Sequence, residues 1–281
     1  MTFCKMNLPD EIERLLSLPA QEARRDGLAV IQELRAGLNR GEFRAAEKTS
    51  SGWKTNLWVK RGILLAFRIG VVEDRSVSEE FHFFDKDTLP AKPLGAGDGV
   101  RVVPGGSTIR DGVYVARNVI CMPPMFINIG AYIDEGSMVD SHALVGSCAQ
   151  IGKRVHLSAA AQIGGVLEPP GALPVVVEDD AFIGGNCGVY EGVLVESRAV
   201  LAPGVILTGG TAVYDLARNQ IYRKAAGAPL TIPSGAVVVP GSRPVTGEFA
   251  VKHRLSLYAP VIVKYRDEKT DASTMLEESL R

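Results

Sequence analysis

Along the middle of this chain an apolar residue returns every six positions. From Ile109 the series runs through Val115, Cys121, Ile127, Ile133, Val139, Val145, Ile151, Leu157 and Ile163. A second phase follows at Val177, Ile183, Val189, Val195, Leu201, Leu207 and Val213. Four positions after most anchors stands a short side chain, as at Ala131, Ser137, Ala143, Ala149, Ala161, Ala181, Ala199 and Thr211. Glycine directly follows the anchor at Gly146, Gly152, Gly164 and Gly184. A helix would repeat at about 3.6 and a half-buried strand at about 2. A period of six fits a parallel β-helix instead, with one hexad per face and roughly eighteen residues per coil. The anchors should point inward and stack coil on coil, and the short residues should let the chain turn each corner.

The two phases are out of step by two residues. The step from Ile163 to Val177 is fourteen positions, a hexad plus eight, and the excess falls in Val166–Pro174, with three prolines and a glycine. Such a stretch cannot join a central ladder. A Pro-rich loop over 166–176 is therefore expected, and insertions of this kind collect at binding faces.

The flanks read differently. Residues 10–39 carry helical spacing, with Asp10 as a cap, Ile12, Leu15 and Leu16 as a short apolar face, and Leu28, Ile31, Leu34 and Leu38 continuing the spacing over Glu22–Leu38. Phe43–Gly52 reads as a strand and turn, Trp53–Ile69 as a second helix, and residues 70–99 as mixed, Pro- and Gly-rich structure. After Val213 a hairpin is expected over Tyr214–Arg223, a last coil over Ile232–Gly241, strand over Phe249–Tyr265 and a terminal helix over Thr270–Leu280. The division implied is 1–100 as an α-rich domain, 101–241 as the β-helix and 242–281 as a cap. A β-helix needs such covers because its end coils expose edges and anchors.

Composition narrows the partners. With 31 basic and 32 acidic residues the charge is balanced, so no nucleic-acid partner is indicated. No apolar run approaches a membrane span and the N-terminus lacks a signal core, so a cytoplasmic protein with no membrane partner is expected. Cys121 and Cys187 fall on inward positions and read as small core residues.

Several strings go beyond the bare repeat. Ala45–Lys48, Phe84–Lys86, Arg101–Pro104, Asn128–Gly136, Met138–Asp140, Val145–Lys153, Val155–Ser158 and Ile163–Pro169 resemble the tetrahydrodipicolinate N-succinyltransferase family of hexapeptide acyltransferases. The resemblance runs from about residue 44 to the end. It implies a mainly β fold, a left-handed parallel β-helix with an N-terminal α-rich domain and a small C-terminal β segment plus helix. It also implies homotrimers with sites in the grooves between β-helices. The implied reaction moves the succinyl group of succinyl-CoA, a co-substrate rather than a resident cofactor, to the amino group of open-chain tetrahydrodipicolinate on the diaminopimelate route to lysine.

The same resemblance assigns candidates. Arg101 would hold an acceptor carboxylate, a task that suits the guanidinium fork. Asp140 would bind the acceptor's ammonium and act as base or nucleophile; as a base it needs a pKa raised above roughly 4. Leu157, Ala160, Gly185 and Ala202 match positions that line the CoA groove. Two positions depart from the family: His142 stands where many members have Trp, and Gly188 where many have Glu. His142 could serve as a base, since imidazole titrates near neutrality. If its hexad is straight, it shares a face with Asp140 two residues earlier. His156 reads as structural. Three nearby histidines for a zinc site are lacking, since the repeat offers only His142 and His156, so no metal is expected. An acetyl-CoA-dependent enzyme and a non-enzymatic β-helix scaffold are the other readings.

Overall fold

The computed structural model describes residues 7–267, so the helix expected over 270–280 lies outside the described residues. The hexads wind into a parallel β-helix whose faces are three sheets of two-residue strands. Sheet A carries Arg101–Val102, Ile120–Cys121, Met138–Val139, His156–Leu157, Phe182–Ile183, Val200–Leu201 and Ala236–Val239. Sheet B carries Thr108–Ile109, Phe126–Ile127, Leu144–Val145, Gln162–Ile163, Gly188–Val189 and Ile206–Leu207. Sheet C carries Tyr114–Val115, Tyr132–Ile133, Gln150–Ile151, Val176–Val177, Leu194–Val195 and Thr231–Ile232.

Every anchor from Cys121 to Val213 is fully buried, while Val115 in the first coil is only half-buried. Anchors stack in register, Ile133 on Ile151 and Val139 on Leu157. The ladder closes across the Pro-rich insertion, because Val177 still pairs with Ile151. The extra residues swing outward and leave the register intact.

The corners are made one residue earlier than the small side chains suggested. Three positions after the anchor the backbone turns left-handed, with φ 61° at His142, 53° at Arg154, 58° at Ala160, 57° at Asn186 and 62° at Arg198. The short residue that follows points inward; Ala131, Ala143, Ala149 and Ala161 are buried. A left-handed residue other than glycine costs roughly 1–3 kcal/mol. That matches the roughly 1.5–3 kcal/mol gained by burying an aliphatic anchor. The balance is tipped by corner hydrogen bonds, in which the amide of the turned residue donates to the coil below. Examples are Arg154 N to Glu135 O (2.9 Å), Ala160 N to Ser141 O (2.8 Å) and Asn186 N to Ala159 O (3.0 Å). Glycine after the anchor has its own reason. A Cβ on Gly146 would lie 2.1 Å from Gly165 N, inside the backbone of the next coil.

The N-terminal segment is two helices, not one: α1 (Leu8–Leu16) and α2 (Ala20–Asn39), parted where Pro19 precedes the second. Asn7, not Asp10, occupies the cap position of α1. A hairpin follows, β1 (Ala46–Thr49) and β2 (Gly52–Thr55), so Trp53 lies in a strand and α3 starts only at Leu57, ending at Ile69. A second hairpin, β3 (Val72–Asp74) and β4 (Phe84–Lys86), leads into the coils. Ile12, Leu15, Ile31, Leu34, Ile63 and Leu65 form the helical core, which extends onto the β-helix through Ile129 and Cys148.

This segment covers sheet C. Arg44 donates to Gln150 Oε1 (3.0 Å) and lays its guanidinium 3.6 Å above the Tyr132 ring, which stacks on Tyr114 at 4.4 Å. Burial pushes the Tyr132 phenol up to about 12. Lys48 Nζ (2.7 Å) and Trp53 Nε1 (2.8 Å) both reach Glu178 Oε1. Fully buried Lys60 donates to Ala172 O (2.7 Å) and so ties α3 to the Pro-rich insertion. Burial lowers the Lys60 pKa.

At the other end Val213–Asp215 and Gln220–Tyr222 form the hairpin, and Thr231–Val239 completes the last coil. Val261–Tyr265 pairs antiparallel with Ala236–Val239 and parallel with Val213–Asp215, covering the last edge of sheet A. Phe249, expected in a strand, lies in a short helix, α4 (Glu248–Lys252).

Candidate functional site

The corner between sheets A and B gathers most of the candidate residues. Each coil passes it directly after a sheet A anchor, so positions that follow Val139, Leu157, Ile183 and Leu201 come to lie in one column. Asp140 and His142, Ala160, Gly185 and Ala202 therefore line one edge of the β-helix over successive coils. Corner bonds hold the column together: His142 N to Pro124 O (2.6 Å), Ala160 N to Ser141 O (2.8 Å) and Gly204 N to Gly185 O (3.0 Å). Gln162 straps it from sheet B, giving Nε2 to His142 O and Ala160 O at 3.2 Å each. The small side chains along this edge leave the backbone open to close approach by an extended ligand.

Leu157 fits less directly. Its side chain is fully buried inside the coil, and its carbonyl accepts the Asp140 amide at 2.9 Å. It supports the column from within and offers no side chain to a ligand.

Asp140 is partly exposed, at 29 % for the side chain, and its Oδ1 accepts the Ser141 amide (2.7 Å). His142 does not share an extended face with it. Ser141 and His142 form the turn, and His142 is left-handed and exposed at the tip. The period-two argument fails here because the straight part of a hexad is only two residues long. The imidazole beside Asp140 is His156, whose Nε2 lies 3.9 Å from Asp140 Oδ2. The ladder pairing of Met138 with His156 brings them together. The eighteen-residue coil already carried that signal, since Met138 and His156 are one coil apart.

Arg101 does not reach the column. It starts sheet A, and it borders a cavity of about 620 Å³ with Asn118, Glu135 and Arg154 at the corner between sheets C and A. Along the outward row of sheet A the order is Arg101, Ile120, Met138, His156 and Phe182. Two ladder steps, about 10 Å, separate Arg101 from Met138.

Gly188 is buried beneath an aromatic ring. A Cβ there would lie 2.4 Å from Cε2 of Tyr190 and 2.9 Å from its hydroxyl, and a Cβ on Gly164 would lie 2.7 Å from Tyr190 Cδ1. Tyr190 thus fills the room above both glycines. Nearby Glu191 is committed to the next coil, accepting Gly209 N at 3.0 Å. Among the described residues no group of three or more His, Cys, Asp or Glu could hold a metal ion, and no helix is long and apolar enough to cross a membrane.

Three stacked parallel sheets built on hexads define a β-helix of the hexapeptide-repeat class. Two family models match: the N-terminal region of tetrahydrodipicolinate N-succinyltransferase over residues 10–69, and the hexapeptide repeat of succinyl-transferase over residues 174–209. Curated relatives named 2,3,4,5-tetrahydropyridine-2,6-dicarboxylate N-succinyltransferase match along almost the whole chain. The one from Sodalis glossinidius is 43% identical over 259 residues, covering 89% of this chain and 88% of its own. The one from Polynucleobacter asymbioticus is 41% identical over 275 residues, covering 96% and 95%. That from Idiomarina loihiensis is 40% identical over 289 aligned positions, covering 100% and 99%. A crystal structure of a putative 2,3,4,5-tetrahydropyridine-2-carboxylate N-succinyltransferase from Campylobacter jejuni overlaps with a TM-score of 0.46 and 13% identity, over 83% of this chain and 62% of that one. The chain belongs to the tetrahydrodipicolinate N-succinyltransferase family.

Proposed function

We propose that this protein transfers the succinyl group of succinyl-CoA to the amino group of tetrahydrodipicolinate in its open 2-amino-6-oxo form. Full-length similarity to relatives of that name supports the reading. The observation that carries it is the column at the corner of sheets A and B, where Asp140 stands beside a run of small residues.

The acceptor arrives as an ammonium. Asp140 binds it through Oδ2, since Oδ1 is already held by the Ser141 amide, and takes its proton. The freed amine attacks the thioester carbon and the C–N bond forms; the nitrogen sheds its second proton to solvent, the C–S bond breaks, and the leaving CoA thiolate takes up the proton held by Asp140. Ala160, Gly185 and Ala202 give the pantetheine arm a backbone-lined path, with Leu157 as its inner support. Arg101 holds an acceptor carboxylate with its fork. His142, at the exposed tip, is the second candidate for contact with the acceptor.

The active form is a homotrimer. The N-terminal segment covers sheet C, whereas sheet B presents Ile206 at 38 % exposure and half-buried Phe126 and Leu144. A heterologous contact between the uncovered faces of successive copies closes into a ring, and Arg101 of one copy then approaches the Asp140 column of the next.

The test is thiol release by the purified protein with tetrahydrodipicolinate and either succinyl-CoA or acetyl-CoA. Turnover with succinyl-CoA well above that with acetyl-CoA is expected; a preference for acetyl-CoA, or no thiol release with either, overturns the reading.

A further inference from the structure

We propose that His156 is a positioning residue for Asp140, holding the carboxylate oxygen that receives the acceptor's proton. The proposal rests on the acyl-transfer reading above. It starts from the way Asp140 is gripped. Oδ1 accepts the backbone amide of Ser141 at 2.7 Å, and Oδ2 faces Nε2 of His156 at 3.9 Å. One oxygen is fixed by the turn, and the other looks at the imidazole from beyond hydrogen-bond length, so a closer approach of the ring would set the carboxylate plane from the second side. Such contacts are often long in the free enzyme and shorten when substrate closes the site.

The setting of His156 fits this task. Its side chain is only 15 % exposed, and its ring meets Phe182 edge-on with centroids 5.0 Å apart and planes at 76°. Met138 and Phe182 flank it on the adjoining strands of sheet A, and neither titrates. Arg154, two residues earlier, is paired with Asp180 at 2.7 Å on the far corner. Arg101 lies three ladder steps away along the same row, about 14 Å between backbones. His142 is at the exposed turn tip beyond Asp140. Among the described residues, the acidic group facing His156 at its own corner is Asp140.

The proton balance is simple. The acceptor ammonium gives one proton to Asp140 Oδ2, where it is shared with His156 Nε2. The amine lone pair forms the C–N bond, the nitrogen of the adduct sheds its second proton to solvent, the C–S bond breaks, and the shared proton passes to the leaving sulfur. His156 acts through Asp140 and need not touch the substrate.

The experiment compares the full-length protein with His156→Phe, which keeps a ring against Phe182, and His156→Gln, which keeps a hydrogen-bond donor. We expect His156→Phe to keep its melting temperature and its KM for succinyl-CoA within about twofold, while kcat falls at least about tenfold and the acid limb of its pH profile moves. His156→Gln should recover part of that loss. Two folded variants with kcat within about twofold of the parent and superimposable pH profiles overturn the proposal. A second arm needs no turnover. In a histidine-ring NMR titration, Asp140→Asn should lower the His156 midpoint by about one pH unit, the effect of removing an adjacent opposite charge. An unchanged midpoint also overturns the proposal. A parent that moves no acyl group, with this titration still responding, instead defeats the acyl-transfer reading and leaves the pairing intact.

Discussion

The ring of Tyr190 occupies the place where a side chain on residue 188 would begin, 2.4 Å from an ideal Cβ on Gly188. Gly188→Ala should therefore destabilise the protein by about 1–3 kcal/mol through overpacking. In a Tyr190→Ala background the same change should cost much less, because the two sites share one space. Chemical denaturation of the four proteins checks this. Equal costs in both backgrounds would show that the ring moves aside freely.

Asp140→Asn keeps the volume and the Ser141 contact but removes the charge. It should lower kcat by about a hundredfold or more with little change in melting temperature. Thiol release and a thermal melt on one preparation separate the two effects. Activity within a few-fold of the parent would remove Asp140 from the chemistry.

Arg101→Lys replaces a two-pronged fork by a point charge. The KM for the acceptor should rise about tenfold, the loss expected for one charged hydrogen bond, with the KM for succinyl-CoA unchanged. If both KM values stay put, Arg101 does not hold the acceptor.

His142 sits at a left-handed corner, φ 61°. His142→Gly should relieve backbone strain and hold or raise the melting temperature. If the imidazole contacts the acceptor, turnover falls in the same variant; unaltered kinetics would leave His142 as a corner residue without a part in the reaction.

Glu178 joins the N-terminal hairpin to sheet C through Lys48, Trp53 and Ser197. Burial pushes its pKa up, but the bonds from Lys48, Trp53 and Ser197 outweigh burial and leave it below the usual glutamate value. A carboxylate depressed in the folded state adds stability above its unfolded pKa, roughly 4.3, and loses it as pH falls through the folded value. Glu178→Gln should cost about 1–3 kcal/mol at pH 7, and the gap to the parent should close below about pH 4. Urea unfolding across that range tests the sign; a gap that widens on acidification contradicts it.

The hexad period determined a great deal without coordinates. It placed the anchors from Cys121 to Val213 in the interior, turned Val166–Pro174 outward and made the last coil legible at Ile232–Gly241, because burial follows directly from a strict repeat. The strings around Arg101, Asp140 and His156 carried the family. Local spacing could not settle where corners fall. Two-residue strands leave most of each hexad to the turn, so His142 swings to the tip while the imidazole near Asp140 comes from the next coil, on His156. The helix breaks were equally hidden: Pro19 divides α1 from α2, and Trp53 joins a hairpin because its indole finds Glu178, 125 residues away. Which face the N-terminal segment covers was decided by such distant partners, Arg44 with Tyr132 and Lys48 with Glu178. A six-residue period repeats identically on all three sheets and so cannot tell one face from another; only side chains meeting across the tertiary fold do that.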